Sequence, residues 1–266
     1  MKLPIYQLDA FAGRPFAGNP AAVCPLESWL PAATMQAIAA ENNLSETAFF
    51  VGAAGRYAIR WFTPATEADL CGHATLASAA VIMTHLEPKQ GKLRFTTQVA
   101  GELAVAREGE LFVLDFPVWP AAKAPAPDGI ERALGARPLE VHVGKRDYLC
   151  VLADAQAVKA LKPDMLALKR LERPVIVTAP GSRNGGGEQC DFVSRFFAPF
   201  NGIDEDPVTG SAHCMLTPFW AERLGKTRLS ARQVSPRGGD LVCELKGDRV
   251  HIGGRVMPYL QGTIEV

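Results

Sequence analysis

The chain has 266 residues, which allows one large domain or two moderate ones with a substantial hydrophobic core. Apolar residues make up 48% of it, and its 28 Lys and Arg residues balance 28 Asp and Glu residues. Because a chain without net charge has no overall field to attract nucleic acid or an acidic membrane, we expect neither as a partner.

The start of the chain and its cysteines indicate a compartment. Residues 1–6 lack the apolar core of a secretion signal, and no apolar run approaches the roughly 18 residues that a membrane helix needs. The six cysteines occur without Cys-x-x-Cys spacing, which favours reduced core or site thiols over a disulfide framework. We therefore expect a cytoplasmic protein.

In chain order, the first half predicts short strands around two helices. Strands are indicated at 3–10, 21–24, 46–52, 56–63, 92–98, 101–107 and 110–116. A helix opens at Pro31 and runs to about Glu41. The segment from Gly72 to about His85 is small and apolar on every side, which is typical of a helix that is buried all round.

A proline-rich stretch divides the chain. Residues 117–127 contain four prolines, a composition typical of an extended linker. We therefore place an N-terminal lobe at 1–117 and a C-terminal lobe at 118–266, with the linker at about 117–128. The last strand could still pack back on the N-terminal lobe.

The second half repeats this plan less cleanly. Helices are predicted at 128–134, 154–170 and 210–224, strands at 138–144, 147–153, 174–178 and 191–198, and a strand meander over 232–266. Pro218 is expected to bend or locally break the last helix. The run Gly181–Gly187 lacks the GK[ST] ending of a phosphate loop, so we interpret it as a surface loop that could act as a lid.

One motif occurs twice. It appears first as Arg60-Trp61-Phe62-Thr63-Pro64 before Gly72-His73-Ala74, and again as Arg195-Phe196-Phe197-Ala198-Pro199 before Gly210-Ser211-Ala212. A repeat this long predicts two similar lobes built by duplication. Matching points of such lobes meet across a pseudo-two-fold axis, and helix starts attract anions. We therefore expect an anionic ligand where the two copies face each other.

Three residues are candidates for acid/base chemistry. Glu46 enters an apolar strand, a setting that suits a general acid or base, although from local sequence alone a solvent-facing glutamate is the more frequent case. His73 lies at the first helix start and Asp206 just before the second. Their structural alternatives are a helix-capping histidine and a turn-forming aspartate. Their corresponding places in the two copies favour the functional interpretation.

Small and polar neighbours could hold the ligand. Gly72 and Gly210 let backbone amides approach it closely, and Ser211 adds a hydroxyl. Asn19 lies in a Gly-Asn-Pro turn, where it could position a ligand or simply form the turn. These four residues are the predicted substrate-binding set.

Cys71 could be a thiolate base, because a helix N-terminus lowers the pKa of a thiol, but we interpret it as a packing residue. Its counterpart in the second copy is Thr209, so a two-thiol proton relay is absent. His213 and Cys214 follow closely without any metal-binding spacing. No metal is expected.

These segments together resemble the PhzF family, named for a phenazine-biosynthesis isomerase, within the diaminopimelate-epimerase-like fold. The matching stretches are 6–11, 18–23, 42–49, 60–64, 67–75, 191–195 and 204–213. The resemblance implies an α+β fold of two pseudo-symmetric β-barrel-like lobes, each wrapped around a central buried helix. It also implies a site between the lobes and a homodimer.

The resemblance further implies an activity. In the characterised isomerase, a glutamate matching Glu46 moves a carbon-bound proton, and residues matching His73, Asp206 and Ser211 line the site. We therefore expect a cofactor-independent isomerase of a small carboxylate-bearing substrate, with catalytic Glu46, His73 and Asp206. The alternatives are an epimerase or racemase that uses Cys71 with Glu46, and a small-molecule- or protein-binding family member without turnover.

Overall fold

The computed structural model describes residues 1–181 and 189–266 and divides into two compact units. The first unit combines Met1–Phe116 with Ile252–Val266, and the second is Pro117–His251. The segment from Ile252 onwards thus belongs with the first unit rather than with the predicted lobe 118–266. Its last strand pairs along nearly its whole length with the first strand of the chain. That pairing covers an edge that would otherwise expose backbone hydrogen-bonding groups.

Strands dominate the fold. They are β1 (Lys2–Ala10), β2 (Asn19–Pro25), β3 (Glu46–Ala53), β4 (Arg56–Phe62), β5 (Glu67–Ala68), β6 (Lys92–Thr96), β7 (Glu102–Glu108), β8 (Leu111–Pro117), β9 (Ala122–Lys123), β10 (Glu140–Val143), β11 (Tyr148–Val151), β12 (Val175–Pro180), β13 (Phe192–Ala198), β14 (Ile203–Asp206), β15 (Arg228–Gln233), β16 (Gly239–Lys246), β17 (Arg249–Gly254) and β18 (Val256–Glu265).

The helices are short by comparison. They are α1 (Ala32–Asn42), α2 (Gly72–Val81), α3 (Ile130–Leu134), α4 (Ala155–Ala160), α5 (Met165–Lys169) and α6 (His213–Leu224). A π-helical turn, Ile82–Leu86, continues α2, and a 3₁₀ turn, Pro199–Asn201, follows β13. No helix within 1–181 or 189–266 has both the length and the apolar character needed to span a bilayer.

The first unit winds its strands around α2. β1 is antiparallel to β2, β2 is parallel to β3, and β3 is antiparallel to β4. β4 then pairs antiparallel with the short β5 and parallel with β6, which is antiparallel to β7. All ten residues of α2 are buried, and the helix packs against β1, β2 and β3. The predicted helix without a polar face is therefore confirmed.

The second unit repeats this order of pairings. β10 is antiparallel to β11, β11 is parallel to β12, and β12 is antiparallel to β13. β13 pairs antiparallel with β14 and parallel with β15, which is antiparallel to β16. Its long helix, α6, packs against β15 and β16 and is buried over its first turns. The identical succession supports duplication, and the predicted α+β class is confirmed.

Helix boundaries differ from the prediction in three places. The helix predicted over 210–224 begins only at His213, because Gly210 to Ala212 form tighter i→i+3 turns. It continues through Pro218 without a break. The helical stretch predicted at 154–170 is divided into α4 and α5, each capped by an aspartate side chain, Asp154 and Asp164. The predicted lid lies outside the described residues, apart from Gly181.

Each unit also has an apolar layer on the outer side of its sheet. In the first unit, α1 packs Met35 and Ile38 on Phe49 and Phe62. In the second, α3, α4 and α5 bury apolar side chains against β12 and β13. Strands covered on both faces are mostly apolar, and β13 is buried at all seven positions, with Ser194 and Arg195 as its two polar residues.

Candidate active site

Asn19 is the first residue of β2 and is fully buried. The turn before it depends on Gly18, whose φ is +68° and where a Cβ would lie 2.2 Å from Ala10 O. Only glycine fits such a left-handed position so close to backbone. The turn directs Asn19 towards α2, where its Nδ2 lies 3.1 Å from His73 Nδ1.

Glu46 is the first residue of β3, and it pairs with Ala21 of β2. It is only 9% exposed, so the solvent-facing alternative does not hold. Its Oε2 lies 3.1 Å from His73 Nε2. A carboxylate this deep in a protein requires a compensating partner, and the imidazole provides one.

Cys71, Gly72 and His73 form the start of α2, with Cys71 in the extended conformation that precedes the first helical residue. Cys71 Sγ lies 3.5 Å from His73 Nδ1, and both side chains are buried. The imidazole therefore contacts Asn19, Glu46 and Cys71 at once. Nε2 is the ring nitrogen that faces Glu46, and Nδ1 is the one that faces Asn19 and Cys71.

Electrostatics in this cluster contradict one expectation. Burial, reinforced by the Glu46 carboxylate, raises the pKa of Cys71 to about 11, so the residue is a thiol at neutral pH. The expected fall of that pKa at a helix start is wrong, because burial outweighs the helix. Burial alone would lower the pKa of His73, but Cys71 and Glu46 outweigh it and hold that pKa well above its ordinary value.

The candidates of the second unit lie together at the loop between β14 and α6. Asp206 ends β14, and its Oδ2 accepts a 2.5 Å hydrogen bond from Thr209 Oγ1. Gly210 is buried and Ser211 is half-buried. Because α6 begins at His213, Gly210 and Ser211 precede the α-helix in a tight turn, whereas Gly72 is itself helical.

Gln233 holds this loop in place, although it belongs to no motif recognised in the sequence. Its side chain is fully buried at the end of β15. Oε1 accepts from Thr209 N at 2.9 Å, and Nε2 donates to Asp206 O at 2.6 Å and to Thr209 Oγ1 at 3.3 Å. Ser235 Oγ adds a 2.7 Å bond to Pro207 O. Only the fold reveals these contacts, since they join segments far apart in sequence.

In both units, a side-chain hydrogen bond fixes the backbone carbonyl of the residue before the glycine, Gly72 or Gly210. Thr75 Oγ1 donates to Cys71 O at 2.6 Å, and His213 Nδ1 donates to Thr209 O at 2.8 Å. Thr75 and His213 occupy corresponding positions, three residues after Gly72 and Gly210. His213 is therefore a structural residue of the helix start. Burial lowers the pKa of His213 to about 4, which keeps its ring neutral.

Both copies of the repeated motif also carry a bidentate ion pair. Arg60 donates to Glu67 through Nε at 2.6 Å and Nη2 at 2.7 Å. Arg195 donates to Glu205 in the same way, at 2.7 and 2.8 Å. Each pair joins a long strand to the short strand that leads into the glycine-containing loop. Two parallel bonds fix geometry better than one, so these pairs position the loops.

Among the described residues, one group of at least three His, Cys, Asp or Glu side chains is close enough together to hold a metal ion. Glu46, Cys71 and His73 offer one oxygen, one sulfur and one nitrogen within 4.8 Å of one another. His213 and Cys214 are buried side by side in the chain but form no such group within the described ranges.

Comparison with known proteins now identifies the family. The family of phenazine biosynthesis-like proteins, PhzC-PhzF, matches residues 8–262. The chain belongs to this family. An uncharacterized isomerase of Pseudomonas aeruginosa is 52% identical over all of both chains.

Solved structures agree with this PhzC-PhzF membership. A PhzF family protein from Enterococcus faecalis has a TM-score of 0.94 at 50% identity, with both chains covered completely. A probable proline racemase from Agrobacterium radiobacter has a TM-score of 0.62 at 12% identity, over 99% of this chain and 92% of the other. The similarity to the proline racemase extends to the fold alone, which is of the epimerase-like type.

Proposed function

We propose that this PhzC-PhzF member is an isomerase that moves a carbon-bound proton on a small carboxylate-bearing substrate, with Glu46 as general acid and base. The observation that carries the proposal is the buried contact between Glu46 and His73, 3.1 Å between Oε2 and Nε2. A carboxylate held beside an imidazole at a helix start can accept a proton and return it. The isomerase name of a relative that is 52% identical supports the same class.

Each residue of the cluster has a separate task. The proton leaves a substrate carbon for a Glu46 oxygen, and Glu46 then returns it to a different carbon as the double bond shifts. His73, with its raised pKa, offers a positive charge that steadies the anionic substrate. Asn19 orients the ring by its contact with Nδ1. No cofactor enters, because the proton is transferred only between the substrate and Glu46.

We assign substrate binding to Gly72 in the first unit and to Gly210 and Ser211 in the second, and a catalytic role to Asp206. Gly72 lies in the first turn of α2, where backbone N–H groups lack helical partners and favour an anion. Asp206 is held in place by Thr209, whose Oγ1 donates a hydrogen bond to its Oδ2. A homodimer is part of the proposal.

Proton NMR in deuterated water tests the reaction directly. The purified protein is mixed with dihydro-hydroxyanthranilate and then with a panel of amino acids. Isomerised product, or deuterium at one carbon, supports the proposal if Glu46→Gln abolishes it. Exchange that persists in Glu46→Gln would remove the role assigned to Glu46.

A second candidate function is epimerisation with Cys71 as the opposing group. The observation in its favour is the contact of Cys71 Sγ with the same imidazole at 3.5 Å. A thiol with a pKa of about 11 can donate a proton to a carbanion that Glu46 has formed. Epimerisation would be lost in Cys71→Ala and retained if Cys71 only packs.

A further inference from the structure

Three chemically different donors meet at the start of α2. Glu46 Oε2 lies 3.1 Å from His73 Nε2, and Cys71 Sγ lies 3.9 Å from the same nitrogen. All three side chains are buried, and their donor atoms lie within 4.8 Å of one another. The cluster therefore brings one oxygen, one nitrogen and one sulfur close together, with Cys71 Sγ also 3.5 Å from the other ring nitrogen, Nδ1.

These separations suit tetrahedral zinc. Bond lengths of about 2.3 Å to sulfur, 2.0 Å to nitrogen and 2.1 Å to oxygen place neighbouring ligands about 3.4 to 3.6 Å apart. The observed 3.1 and 3.9 Å differ from these edges by a few tenths of an ångström in opposite directions.

The donor set also selects the kind of metal. Sulfur and imidazole ligands favour zinc, cobalt and cadmium, whereas magnesium and calcium require mainly oxygen. Three protein ligands leave a fourth position open. A histidine that binds metal through one ring nitrogen usually donates a hydrogen bond from the other to a protein oxygen. Asn19 can supply that oxygen, because rotating its amide places Oδ1 opposite Nδ1–H of His73.

We propose that Glu46, Cys71 and His73 bind one divalent cation of the zinc class, and that the bound cation inhibits the enzyme. Binding releases two protons to solvent, one from the Cys71 thiol and one from Nε2 of the His73 imidazolium, and engages the Glu46 oxygen and the freed His73 nitrogen. The inhibitory part rests on the proposed function, since it requires that Glu46 move a proton. The binding part does not.

Cobalt(II) absorption tests the binding part without any substrate. Titration of the full chain should give thiolate-to-cobalt charge-transfer absorption in the near ultraviolet, and the signal should saturate at one equivalent. Cys71→Ser should lose the absorption, whereas Cys190→Ser, which changes another buried cysteine, should keep it. Asn19→Ala should weaken binding by roughly tenfold or more.

Two outcomes would overturn the metal site. One is the absence of charge-transfer absorption in a correctly folded protein, and the other is full absorption in Cys71→Ser. Zinc should also stop deuterium exchange by the wild type, and a chelator should restore it. Cobalt absorption without inhibition by zinc would refute the inhibitory part. Cobalt absorption in a wild-type protein that incorporates deuterium into none of the tested substrates would count against the proposed function alone.

Discussion

Glu46 Oε2 and His73 Nε2 lie 3.1 Å apart although Glu46 is the first residue of a strand and His73 lies in the first turn of a helix. The contact arises because β3 lies parallel to β2 and α2 packs against both. Local sequence favoured a solvent-facing Glu46, and the fold buries it instead. The pair is therefore the part of the site that depends most directly on tertiary structure.

Glu46→Gln should lower the rate of proton transfer by about 100- to 10,000-fold, the usual contribution of a general acid or base. Glutamine keeps the size of the side chain but cannot hold the proton. Rates of deuterium incorporation measure the change, and circular dichroism verifies the fold. Glu41→Gln, at an exposed position of α1, is the matched control and should keep the wild-type rate.

Gln233→Leu should loosen the loop that carries Asp206 and Thr209. It leaves Thr209 N–H and Asp206 C=O without their partner, at a cost of about 1–3 kcal/mol for each buried group. Amide hydrogen exchange should accelerate at Thr209, while β12 stays protected. Equal protection of Thr209 in the wild type and Gln233→Leu would contradict the bracing role.

The two ion pairs should differ in strength because their burial differs. The side chains of Arg195 and Glu205 are 9% and 14% exposed, against 15% and 32% for Arg60 and Glu67. Breaking a buried pair strands a charge and costs about 3–5 kcal/mol, whereas a more exposed pair is worth about 1 kcal/mol. Urea unfolding should therefore show a larger loss for Glu205→Gln than for Glu67→Gln. The reverse order would contradict this reading of the two units.

Sequence patterns predicted much of the fold for identifiable reasons. The all-apolar segment from Gly72 predicted a buried helix, and α2 is buried at every position. The duplicated motif predicted two similar units, and their strand pairings follow the same order. Such features are local or periodic, and periodicity is what a single sequence displays.

Other features could not be predicted because they depend on distant contacts or on competing local forces. Gln233 braces the loop that contains Thr209, a residue 24 positions earlier in the chain, and belongs to no motif. The raised pKa of Cys71 reflects burial and the Glu46 charge, both products of the fold. Helix α6 begins at His213 and not at the predicted residue 210, because the preceding residues form tighter turns. The roles of Asp206, Gly210 and Ser211 remain predictions.

His213 should make the protein less stable in mild acid. Its folded pKa of about 4 lies below the ordinary 6.5, since burial disfavours the charged ring. Between these two pH values the unfolded chain binds a proton that the folded chain does not. Stability is thus complete above pH 6.5 and falls as the pH drops towards 4, by about 3 kcal/mol. Urea unfolding at pH 7 and pH 4.5 measures the loss.

His213→Asn is the matched variant for this test. Its side-chain amide can still donate to Thr209 O, as His213 Nδ1 does, but it does not titrate. Burial raises the pKa of Asp147 to about 6, which adds stability as the pH falls, so the comparison must be made between variants and not within one protein. Wild type should lose more stability than His213→Asn between pH 7 and pH 4.5. Equal losses would show that the ring becomes charged in the folded protein without cost.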